Sequence, residues 1–149
     1  MIVDIRPAAT TDLTAISNLC AARAAYERGE CDAVGSDDKL AAALAESTPR
    51  VEILLAVSDS APVGNASSTR EFSTWQARDY LHLNCMFVLE VMRGRRIGRQ
   101  LFDAVRAEVK LAGLRLIQWQ TPDWNHDAIR FYRGFGAEEL SKMRLSLDI

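Results

Sequence analysis

The stretch YLHLNCMFVLE, residues 80–90, constrains the fold of this chain more than any other. It begins with alternating polar and apolar residues and ends in a continuous apolar run, the pattern of a strand buried in the middle of a sheet. It passes directly into VMRGRRIGRQLF, residues 91–102, where four arginines surround two glycines. Ile97, Leu101, Ala104, Val105 and Val109 then recur at helical spacing, and Gly113 marks the helix end. Strand, turn and amphipathic helix in that order require a helix packed back onto a sheet.

The rest of the chain extends this unit. Ile2, Val3 and Ile5 before Pro7 read as a first strand. Leu13, Ile16, Leu19 and Cys20 have helical spacing, with Thr10 or Thr11 as the expected cap and Asp12 in the first turn. SDDKLAAALAES reads as a second short helix capped by Ser36. VEILLAVS and PVGNASSTREF are strands joined at the hairpin turn DSAP, and STWQARD is a further connection. LRLIQWQT is expected as a strand, DWNHDAIRFYRGFG as a short helix ending in two glycines, and AEELSKMRLSL as the last strand. The order describes an α/β protein with a mixed sheet, and no linker or repeat divides it, so residues 1–149 are expected to form one domain.

Composition removes several classes of function. A formal charge of −2 gives no global attraction to nucleic acid. No run approaches the roughly eighteen apolar residues of a membrane span, and the N-terminal residues lack a leader pattern, so a cytoplasmic protein without membrane contact is expected. Cys20, Cys31 and Cys85 have no CxxC spacing and the two histidines have no ligand spacing, so neither a disulfide framework nor a metal site is expected.

Two stretches carry chemistry. A helix start leaves backbone N–H groups unpaired and concentrates partial positive charge. Arg93, Arg95, Arg96 and Arg99 add forked cationic donors there, while Gly94 and Gly98 leave the backbone bare, which suits a pyrophosphate or similar polyanion. In TPDWNHDAIRFYRGFGA, Asn125 can cap a helix and present an amide, Tyr132 falls on the same face seven residues on, and Gly134 and Gly136 permit a tight exit.

Taken together, these stretches resemble the GNAT superfamily of acyl-CoA-dependent N-acetyltransferases. The pattern [Q/R]xxGx[G/A] is matched by Arg93, Arg96 and Gly98, with Arg96 where the first glycine usually stands, and NxxAxxFYxxxGF by NHDAIRFYRGFGA. At Arg96 a helical backbone, which tolerates a Cβ, is the expectation. Within the superfamily the chain is similar to the spermidine/spermine and thialysine N-acetyltransferase branch, through IRPAATTDL, AAYE, YLHLNCMFVLEVMRGRRIG and DWNHDAIRFYRGFGA. Where that branch often has LYLED this chain has LHLNC, so Asn84 replaces its polyamine-facing acid.

The resemblance implies a single-domain fold with a mixed central sheet of about six to seven strands flanked by about four helices. It implies direct acetyl transfer from acetyl-CoA to a primary amine of a small molecule, by a homodimer. Phe87, Val88 and Leu89 would pair with the pantetheine arm, a backbone N–H at or beside Val88 would receive the oxyanion, and Arg93, Gly94, Arg95, Arg96, Ile97, Gly98 and Arg99 would hold the phosphates. Asn125 and Tyr132 would also line the donor, with Tyr132 protonating the leaving sulfur. Glu90, Glu27, His82 or a water chain are the candidates for the base, His82 because an imidazole exchanges protons near neutral pH. Tyr26, Glu27, Trp75, His82 and Asn84 would face the amine, with His82, Asn84 and Met86 on one face of the strand and Leu83, Cys85 and Phe87 on the other. An acyltransferase acting on proteins or peptides, or a non-catalytic acyl-CoA-binding module, are the alternative readings.

Overall fold

The computed structural model describes residues 1–29 and 36–149, so Cys31 and most of ERGECDAVGS lie outside the described residues. Two compact units are present, Met1–Trp119 and Gln120–Ile149. The first holds β1 (Val3–Pro7), α1 (Leu13–Tyr26), α2 (Ser36–Ala45), β2 (Glu52–Ser58), β3 (Ala61–Ser73), β4 (Arg78–Val88), α3 (Ile97–Leu111) and β5 (Ile117–Gln118). The second holds α4 (His126–Arg133). No described helix is long and apolar enough to cross a membrane.

The sheet runs β1-β2-β3-β4-β5. The first four strands are antiparallel and β5 is parallel to β4, so the sheet is mixed as expected. Asp59 and Ser60 both take positive φ, 50° and 65°, the two-residue hairpin geometry that matches strand twist. On one side, Ile16 and Leu19 of α1 pack with Ile53, Leu55, Cys85 and Phe87. Ile97, Leu101, Phe102, Val105 and Val109 form the buried stripe of α3, the amphipathic helix read from its spacing.

Four expectations change. The sheet has five strands, fewer than about six to seven. LRLIQWQT contributes only Ile117 and Gln118, paired with Leu81 and His82. AEELSKMRLSL forms no strand: its unit contains no other extended element to complete a ladder, and a lone strand leaves its backbone groups to water. At the start of α1 neither threonine caps. Asp12 instead accepts the Ala9 N–H (2.8 Å) and a forked pair of bonds from Arg6 (2.8 and 2.9 Å), tying β1 to the helix start.

Candidate active site

The site begins with an extra residue in β4. Ser67 of β3 faces Cys85 and Ser68 faces Leu83, which leaves Asn84 without an opposite number. A bulge of this kind shifts the side-chain pattern by one place. Cys85 and Phe87 therefore pack toward α1, whereas Leu81 and Leu83 are buried outside that cluster. Strict alternation, with Leu83 on the face of Cys85 and Phe87, fails at this point.

The same bulge decides where backbone donors face. The Leu89 N–H donates to the Val63 carbonyl on β3 (3.0 Å). Alternation of the ladder then turns the Val88 N–H to the opposite edge. On that edge β5 pairs no further than His82, so among the described residues no strand covers β4 from Leu83 onward. Six residues of open edge span about 20 Å, room for an extended ligand to add itself as a strand would. Gly64, opposite Val88, keeps this end in place: a Cβ there would lie 2.8 Å from the Phe87 carbonyl and 3.3 Å from Leu101 Cδ1. A lone glycine inside a strand pattern is the sequence signal for such an approach, and it was legible in PVGNASS.

After Val88 the chain makes a 3₁₀ turn over Glu90–Met92 and enters α3 through two left-handed residues, Gly94 (φ 76°) and Arg96 (φ 63°). Arg96 is thus left-handed rather than helical, which corrects the expectation: its motif position calls for glycine because of backbone shape. No side chain caps α3, so its first N–H groups have no side-chain acceptor. Arg95 and Arg96 have no carboxylate within 4 Å among the described residues, and Arg99 lies 3.9 Å from Asp103. Bare donors, helix dipole and uncompensated guanidinium groups together form a cradle that fits a pyrophosphate.

Arg93 takes a different position. Its guanidinium lies over the Tyr26 ring (4.2 Å) and near the Phe87 ring (5.5 Å), its Nε donates to the Val88 carbonyl (3.1 Å), and Nη1 is 3.9 Å from Glu90. Tyr26 and Phe87 are themselves 6.3 Å apart. Adjacent to Tyr26, Glu27 accepts from Arg23 Nε (3.2 Å), a partner the sequence reading did not single out. The Cys85 thiol beside them is pushed up to about 11, chiefly by burial, and stays neutral.

The structure therefore brings Tyr26, Phe87, Val88, Leu89, Glu90 and Arg93 together, with Glu27 at the end of the same helix. It does not bring Trp75, which is 95% exposed at the tip of the β3–β4 hairpin. Asn84 is about 13 Å and His82 about 20 Å along the strand from Val88. Both belong to a polar hairpin face where Asn84 Nδ2 donates to Thr69 (3.4 Å), and Tyr80 donates to Glu71 (2.7 Å), which holds the phenol proton more tightly.

In the second unit Asn125 caps α4 as expected, accepting the Ala128 N–H at 3.2 Å, and is 8% exposed. Tyr132 stands in the last turn with its ring edge-on to Phe131 (5.1 Å), and Gly136 takes φ 82° just beyond.

Comparison with known proteins matches the acetyltransferase (GNAT) family model to residues 16–137, well over half of the chain. Thialysine N-epsilon-acetyltransferase of Bos taurus is 31% identical, covering 94% of this chain and 86% of that enzyme. L-ornithine N5-acetyltransferase of Arabidopsis thaliana is 28% identical over half of this chain, a match spanning only 32% of that enzyme's length. Among solved structures, AAC(6')-Iy in complex with a CoA bisubstrate analogue superposes with a TM-score of 0.77 at 20% identity, covering 100% of this chain and 99% of the other. The chain thus belongs to the GNAT family, as an N-acetyltransferase whose acyl donor is acetyl-CoA.

Proposed function

We propose that this protein transfers acetyl from acetyl-CoA directly to the primary amine of a small molecule, as a single cytoplasmic domain. The observation that carries the reading is the Val88 amide on an open strand edge, followed at once by the uncapped, arginine-rich mouth of α3. Arg95, Arg96 and Arg99, with the amides of Ile97 and Gly98, hold the phosphates, and the Val88 N–H donates to the oxygen that becomes negative as the amine nitrogen attacks the acetyl carbon. As the carbon–sulfur bond breaks, the Tyr132 hydroxyl gives its proton to the leaving thiolate, and the ammonium formed on the amine passes its excess proton to Glu90 or through water.

Charge balance around Tyr26 supports a particular acceptor. Glu27 is paired with Arg23 and Glu90 stands near Arg93, so two carboxylates are offset by two guanidinium groups. With both carboxylates offset in this way, no uncompensated acid among the described residues at the strand end favours a polycation. An amine that also carries a carboxylate fits better, and the names of the thialysine and ornithine relatives agree with this.

The test is free-thiol release from acetyl-CoA with acceptors that differ only by a carboxylate: ornithine against putrescine, lysine against cadaverine. Higher kcat/KM for the amino acids is the expected result, and higher values for the diamines refute the acceptor class. Tyr132→Phe should lower kcat at least tenfold, about 1.4 kcal/mol of transition-state stabilisation. Peptides outperforming every small amine would make this a protein acetyltransferase, and CoA binding without turnover would make it a binding module.

A further inference from the structure

A second concentration of unpaired arginine lies at the far end of α3. A cleft of about 380 Å³ is lined by Arg70 of β3, Arg78 and Asp79 of β4, the backbone turn Ala112–Leu114 that closes α3, and Arg115. Eight other arginines are ion-paired: Arg6, Arg23, Arg50, Arg93, Arg99, Arg106, Arg130 and Arg133. Arg70, Arg78 and Arg115 have no carboxylate within 4 Å among the described residues, a condition shared with Arg95 and Arg96 in the phosphate cradle. The Arg78 side chain donates only to the Gln76 side chain (2.9 Å), and the Arg70 and Arg115 side chains have no hydrogen-bond partner among the described residues.

Helix polarity alone does not account for three cations here. The last turn of α3 already directs its carbonyls inward: Ala112 N–H donates to Glu108 (2.9 Å), Gly113 to Lys110 (3.1 Å) and Leu114 to Val109 (2.9 Å). Three guanidinium groups around one cleft repel one another, and the single acid on its wall, Asp79, pairs with none of them. A ligand with two or more negative charges relieves that repulsion and meets planar forked donors. The cleft volume suits a small molecule.

We infer that the cleft formed by Arg70, Arg78 and Arg115 is a second anion site, for a small phosphate- or carboxylate-bearing molecule of at least two charges. The 15 residues of α3 place it about 22 Å from the cradle at the other end of that helix. The two sites are therefore separate.

The experiment is calorimetric titration with inorganic pyrophosphate, on free protein and on protein saturated with CoA. Two bound pyrophosphates per free chain and one per CoA-loaded chain are expected. In the Arg70→Gln/Arg115→Gln variant the site that survives CoA should weaken at least tenfold while CoA affinity and the melting temperature stay as in the parent. No pyrophosphate binding to the CoA-loaded protein overturns the inference, and so does binding that the double variant leaves unchanged. Should CoA itself not bind, which is a failure of the acetyl-transfer reading instead, Arg95→Gln/Arg96→Gln blocks the cradle in its place. Citrate and inorganic phosphate, titrated in the same way, separate carboxylate from phosphate ligands.

Discussion

Arg96 holds a conformation that opposes its own side chain. A left-handed backbone costs an ordinary L-residue about 1–2 kcal/mol, and at φ 63° Arg96 bears that cost in exchange for one more cation at the mouth of α3. Arg96→Gly should therefore raise the melting temperature by about 2–4 °C and weaken CoA binding together. Arg96→Ala should weaken binding with no gain in stability, and a thermal melt beside a CoA titration separates the two effects. Asp12 is a second residue whose surroundings set its chemistry. The Arg6 guanidinium, then the Ala9 N–H, hold its carboxyl down at about 2, against about 3.9 when unfolded. A carboxyl whose folded value is the lower one stabilises above the unfolded value and loses that contribution as pH falls through the folded one. The melting-temperature gap between the parent and Asp12→Asn should thus be full at pH 5 and close between pH 4 and pH 2.

Elements differ in how far local pattern reveals them. α3 and the Asn125 cap of α4 were legible because both depend on neighbours within one or two turns: a stripe at helical spacing in one, a side chain reaching three residues ahead in the other. The bulge at Asn84 was not, since it exists only in the register between β3 and β4, and nothing in LHLNC marks it. The brevity of β5 was hidden for the same reason, because pairing with β4 ends where the partner edge opens. Of the candidate site, the arginine cradle was visible as composition around glycine, while the turning of Arg93 onto Tyr26 and Phe87 depended on α1 arriving beside the strand end. Gly64 is the element-scale test. Gly64→Ala forces a Cβ to within 2.8 Å of the Phe87 carbonyl, so about 1–3 kcal/mol should be lost in denaturant melts. Because Gly64 faces Val88, kcat should fall more than that stability loss alone explains.

At the scale of the molecule, the C-terminal segment carries exposed apolar side chains. Leu140, Met143, Leu145 and Leu147 are 76–88% exposed, and the last three alternate with polar residues. A run of exposed apolar side chains this dense in sequence suits a partner surface, which is in keeping with the homodimer implied by the family resemblance. Light scattering should give twice the 16.6 kDa of one chain, and truncation after Ala137 should lower it toward one. A mass of one chain for the intact protein contradicts the dimer. The extra residue in β4 bears on how such a chain can change over time. Strand parity is set by the partner strand: Ser67 and Ser68 are consecutive on β3, so removing Asn84 alone would leave Cys85 and Leu83 as consecutive partners in a regular ladder and keep the sense of every amide between Cys85 and Val88. Position 84 is thus the one place in this half of β4 where a residue can be lost without disturbing the pairing that aims the Val88 amide, whereas Cys85, Met86, Phe87 and Val88 are each held one to one by β3.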